Sequence, residues 1–175
     1  MQRVVILFAF VACAVGLISS AVAAPPEKVD LIKVAMIEKV ARFIDWPAAP
    51  ANGQFMLCAA AEHPQLAALR AYYDNAKIAK LPVGVRLLKK DDNLAGCQVA
   101  FLIPGAQADL VHLRAMADKE HVLLVGEGEQ MARQGVHVGF FADMNKLSVE
   151  VNRKSLEAAG LKASFRLLEV VKIVE

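Results

Sequence analysis

Catalytic vocabulary is scarce in this sequence. No G-x-S-x-G, H-E-x-x-H or C-x-x-C occurs, and no cysteine set has zinc spacing. These absences exclude the serine hydrolase, zinc protease and dithiol redox readings at the level of motifs. His63, His112, His121 and His137 are scattered along the chain, and no carboxylate is placed locally to orient any of them. Asp74, Asp109 and Asp118 read as solvated helix positions. There is no basic block either: 20 Lys and Arg are interspersed with 18 acids. That excludes a nucleic-acid partner, which demands a concentrated basic footprint. The residues therefore recommend no catalytic group, metal or cofactor.

Long apolar runs are confined to the start. Arg3, the run Val4 to Ile18 and the small residues Ala21-Val22-Ala23 form an export signal over residues 1–23, with cleavage after Ala23. The run is too short for a membrane span, which needs about 20 apolar residues. The remaining 24–175 suit one domain with its own core. Losing Arg3 leaves 20 − 1 = 19 bases against 18 acids, a net charge of +1. No second apolar run reaches membrane length, so a soluble protein of an exported compartment is expected.

What the chain does have is alternation of apolar strands and helix-period segments. Gly96 to Pro104, closed by Pro104-Gly105, reads as a strand buried on both faces. Phe55 to Ala61 and His121 to Val125 are its neighbours, with helices over Pro64–Tyr73 and Gln107–Lys119 between them. That order is the βαβ signature. A helix over Leu31–Asp45 precedes them, with Asp30 as N-cap and Pro47 as its stop. Pro82 to Leu88 starts with Pro and alternates, as an edge strand does. Val136–Phe141 and Leu147–Val151 flank Asp143-Met144-Asn145 as a hairpin. Asn152 caps a helix over Arg153–Ala159 closed by Gly160, and Ser164 opens a last helix over Phe165–Ile173. The fold class is α/β: a single compact domain, a mostly parallel sheet with a hairpin in its C-terminal half, and helices on both faces.

Val125-Gly126-Glu127-Gly128-Glu129, with a short helix over Glu129–Arg133, has the order of a phosphate loop. The full dinucleotide pattern and a Walker lysine are missing, and Glu127 and Glu129 would repel phosphate. Cysteine is more informative. Cys13 leaves with the signal, and Cys58 and Cys97 remain as an even pair in an oxidising compartment. Both fall at strands of one expected sheet, so a disulfide is sterically open to them; two buried thiols are the alternative. Trp46, the only Trp, sits where the first helix ends. It is either a plug over the sheet or a partly exposed anchor for a partner.

Two stretches carry a likeness. One is Ala41-Arg42-Phe43-Ile44-Asp45-Trp46-Pro47. The other is Val149-Glu150-Val151-Asn152, then Ala158-Ala159-Gly160-Leu161-Lys162, then Ser164 and Leu167-Leu168. With Leu123-Leu124-Val125-Gly126 and Gly135 in order between them, the chain resembles the YfiR family of periplasmic proteins over nearly its whole mature length. It departs at Glu38-Lys39, at Val136 after Gly135, and in having no cysteine after Cys97. The resemblance implies a regulator rather than an enzyme. Such proteins act in the periplasm, hold an inner-membrane diguanylate cyclase inactive through its periplasmic sensor part, and so lower cyclic di-GMP and biofilm formation. An outer-membrane lipoprotein can sequester them, and members can form homodimers.

On that implication Phe43, Asp45 and Trp46 are the candidate partner-binding residues, large aromatics with a polar rim. A periplasmic small-molecule binding module is the alternative, with Phe43 or Trp46 stacking a ligand in a closed pocket. A hydrolase would need nucleophile, base and orienter assembled from distant residues.

Overall fold

The computed structural model describes residues 28–60, 62–89, 92–104, 110–143 and 146–175. The expected export signal lies outside these residues. Among the described residues no helix is long and apolar enough to cross a membrane.

The strand at the centre of the sheet is β5 (Val99–Phe101), following α1 (Lys28–Ala41), β1 (Ile44–Asp45), β2 (Phe55–Ala60), α2 (Leu66–Tyr73), β3 (Lys77–Ile78) and β4 (Leu81–Leu88). After it come α3 (Leu110–Glu120), β6 (Leu123–Glu127), β7 (Val138–Asp143), β8 (Lys146–Asn152), α4 (Arg153–Ala158), β9 (Lys162–Ala163), α5 (Phe165–Leu168) and β10 (Lys172–Val174). Eight strands form one sheet in the order β10-β8-β7-β6-β5-β2-β4-β3. Pairing is parallel except in β7–β8 and β3–β4. β1 and β9 make a separate antiparallel pair.

Period-2 alternation sorts the strand residues onto two faces. Leu57, Val99, Phe101, Leu123, Val125 and Phe140 meet Val34, Ile37 and Val40 of α1, Leu69 and Tyr73 of α2, and Leu156 of α4. Burying each such aliphatic contributes on the order of 1.5–3 kcal/mol. Cys58, Ala100 and Leu124 point the other way, to Leu110 and Ala117 of α3 with Met131 and Val136. Helices thus cover both faces of a mostly parallel sheet, as the alternation predicts. Cys58 and Cys97 are joined by a disulfide in the second core, Cα to Cα 5.9 Å across 39 residues of chain.

Five local expectations change. The first helix begins at Lys28, so Asp30 lies in its first turn rather than at its N-cap. Residues 129–133 form turns rather than a helix, and Gly128, at φ 135°, begins them. The first helix ends at Ala41, because Ile44-Asp45 is drawn into pairing with Lys162-Ala163. The last helix stops after Leu168, and Lys172–Val174 is a strand beside β8. Its β-branched residues, stiff at χ1, fit a pleated surface better than a helix. The strand at Pro82 is the edge expected only from Val83 onward, since Lys77–Ile78 folds back outside its first two residues.

Candidate interaction site

The site forms where α1 gives out. Arg42 is not a loose rim charge. Its Nε donates to Glu38 Oε1 (2.9 Å) and its Nη2 to the carbonyl of Lys77 (2.9 Å). Tyr72 donates its hydroxyl to Glu38 Oε2 (2.9 Å). Burial, and then that bond to a carboxylate, raise the Tyr72 pKa and keep the phenol protonated. Glu38, a departure from the family pattern, thus locks the helix end to α2 and β3.

Beyond this lock the chain runs along β9. Ile44 faces Ala163 and Asp45 faces Lys162, and Ser164 donates its backbone N–H to the carbonyl of Phe43 (2.8 Å). Ser164 also caps α5, accepting from Leu167 N at its hydroxyl. The two stretches that carry the family likeness, far apart in sequence, are therefore side by side in space. Both present aromatic surface: Phe43 is 38% exposed and Phe165 75%. Asp45 and Lys162 are exposed beside them.

Trp46 is part plug and part exposed surface. Its ring stands edge-on to Phe55 at 5.5 Å and packs on the main core, yet it is only half-buried. Its Nε1–H is shielded from solvent and has no acceptor among the described residues. The ring walls an open groove of about 570 Å³ with Arg42, Pro50, Phe55, Ala79 and Leu81.

Of the three expected partner-binding residues at the end of α1, Phe43 and Asp45 are exposed and Trp46 is half-buried against the core. Lys162 and Phe165, which the pairing brings beside them, were not among the residues expected there. Their signal lay in the second family stretch, but nothing local says that it pairs with the first. The histidines lie elsewhere. His63 bonds the Leu102 carbonyl (3.0 Å) between β2 and β5, and burial lowers its pKa. His121 bonds the Ala159 carbonyl at the end of α4 (2.9 Å), and His137 lies buried in the second core region. Among the described residues no group of three or more His, Cys, Asp or Glu is placed to hold a metal ion.

No curated protein matches the chain. Residues 30–172 match the family model described as YfiR/HmsC-like. That span contains both stretches joined at the β1–β9 pair, and the chain belongs to the YfiR/HmsC-like family.

Proposed function

We propose that this protein is a periplasmic regulator that binds the periplasmic sensor part of an inner-membrane diguanylate cyclase and represses it. Cyclic di-GMP and biofilm formation fall while it is bound, and an outer-membrane lipoprotein relieves the repression by taking it up. The observation that carries this reading is the exposed aromatic pair Phe43 and Phe165 on a surface built from both family stretches. Large aromatics exposed beside a charged rim are the make-up of a protein-binding patch. Repression of this kind requires higher affinity for the inactive sensor than for the active one, and no chemistry.

Deleting the gene, with its cognate cyclase expressed, raises cyclic di-GMP. Phe43→Ser with Phe165→Ser has the same effect while folded protein in the periplasm stays at the parental level, since both side chains are exposed. A deletion strain with unchanged cyclic di-GMP refutes the repressor reading. A second reading, a small-molecule binding module, is favoured by the open groove that the Trp46 ring walls. A saturable shift of Trp46 emission on adding a periplasmic metabolite extract, in a strain whose deletion leaves cyclic di-GMP unchanged, would select it.

A further inference from the structure

Past Pro82 the outer edge of β4 has no strand beside it among the described residues. Val83 donates its N–H to the carbonyl of Ala76 (3.1 Å), away from β2. Strand groups alternate with period two, so Val85 and Leu87 turn their N–H and C=O to that same side. β3 pairs only with Leu81 and Pro82. Beyond Val83 this side therefore has no strand partner among the described residues.

Edges of this kind are usually blunted by a charge, a bulge or a covering loop. Arg86 is the only charge within β4, and its side chain is engaged by the loop before β5. Its guanidinium donates to the carbonyls of Asn93 (2.7 Å) and Ala95 (2.8 Å) and touches Cys97 Sγ (3.1 Å). Val83 and Val85 pack half-buried on one core and Leu88 on the other, so the face with the valines is apolar and the opposite face carries Gly84, Arg86 and Leu88. Exposed lysines bracket it: Lys77 and Lys80 at its start and Lys89 at its end. None of the three is in an ion pair among the described residues.

This charge pattern selects the occupant. A two-fold antiparallel pairing of β4 with itself would set the Lys80 end of one copy against the Lys89 end of the other, an arrangement of like charges that opposes it. An acidic segment meets attraction at both ends. We propose that the outer edge of β4 receives an extended segment of another protein, antiparallel to β4 and in line with β3, with an apolar centre and acidic residues at each end. Main-chain bonds to Val85 and Leu87 would hold it, and the lysines would select its charge. The inference stands apart from the cyclase reading, since Phe43 and Trp46 are not on this edge.

The probe is a synthetic peptide of about eight residues, alternating Val and Thr between acidic ends, followed by fluorescence anisotropy with the full folded protein. It should bind at least roughly tenfold tighter than its lysine-ended counterpart. N-methylation of alternate amides along one edge should weaken it by a similar factor, which tests the backbone bonds without altering the protein. Reversing the exposed lysines together (Lys77→Glu, Lys80→Glu and Lys89→Glu) should invert the preference at unchanged thermal stability. Equal binding of the two peptides, indifference to N-methylation, no change in the triple variant, or no binding at all overturns the proposal. A concentration-dependent dimer abolished by Val85→Pro also overturns it, by giving the edge to a second copy.

Discussion

His137 is fully buried, and its Nδ1 accepts the backbone N–H of Leu124 (3.0 Å). The ring proton is therefore on Nε2, which makes no well-formed hydrogen bond among the described residues; Asp118 Oδ1 on α3 is 3.9 Å away, and the Val122 backbone only partly offsets the fall in pKa. Burial, and then the positive charge of Arg114, push the His137 pKa down to about 4. In the unfolded chain the same imidazole titrates near 6.5. Between those values the unfolded chain takes up a proton that the native state refuses, so stability is constant above pH 6.5 and falls as pH drops towards 4. The loss is on the order of 3 kcal/mol for a shift of this size. Burial lowers the pKa of His63 as well, with the same sign. Urea unfolding at pH 7.5 and pH 5 should show the fall. His137→Asn, which keeps an acceptor for Leu124, should be less stable at pH 7.5 but flatter between the two pH values. An unchanged slope would rule out His137 as its source.

At the scale of elements, how much could be read from the chain depended on how local the cause was. Asn152 caps α4 through Ser155 N, Gly160 closes it at φ 71°, and Ser164 caps α5; each is a short-range device visible in sequence. The central strand was equally plain, because residues buried on both faces make a continuous apolar run. Pairings between distant segments were not. Ile44-Asp45 finds Lys162-Ala163, and Lys172–Val174 finds β8, with only two or three residues of pattern to announce each. The site inherited that limit: Phe43, Asp45 and Trp46 could be picked out, whereas Lys162 and Phe165 needed the pairing. The β3–β4 turn was missed for another reason. Ala79 and Lys80 have φ of 50° and 69°, the positive values a two-residue hairpin requires at both centres, where Asn-Gly is the usual pair. Each non-glycine residue there costs about 1 kcal/mol. Replacing the pair by Ala79→Asn with Lys80→Gly should therefore stabilise the protein by roughly 1–2 kcal/mol, read as a raised urea midpoint at constant m. A lowered midpoint would mean that the Lys80 side chain contributes more than the turn strain costs.

For the molecule as a whole, the sheet separates two tasks. Trp46 and the β1–β9 surface belong to the core under α1, while the Cys58–Cys97 disulfide lies in the core under α3. Closing a loop of 39 residues removes about 3–4 kcal/mol of unfolded-state freedom on the chain-entropy estimate. Both cysteines are buried, at 0% and 2% exposed, and Arg86 pins the approach to Cys97 through Asn93 and Ala95. The bridge therefore stabilises the fold from the opposite face of the sheet to Trp46 and the β1–β9 pair. Protein isolated from the periplasm should show no thiol reactivity even when unfolded, until it is reduced; two thiols titrating at once in denaturant would show the bridge absent. Reduction should lower unfolding free energy by a few kcal/mol. The emission of Trp46, the sole Trp, should nevertheless be the same in oxidised and reduced protein below the transition. If reduction shifts that emission while the protein is still folded, the two cores are coupled, and the Trp46 groove is under redox control.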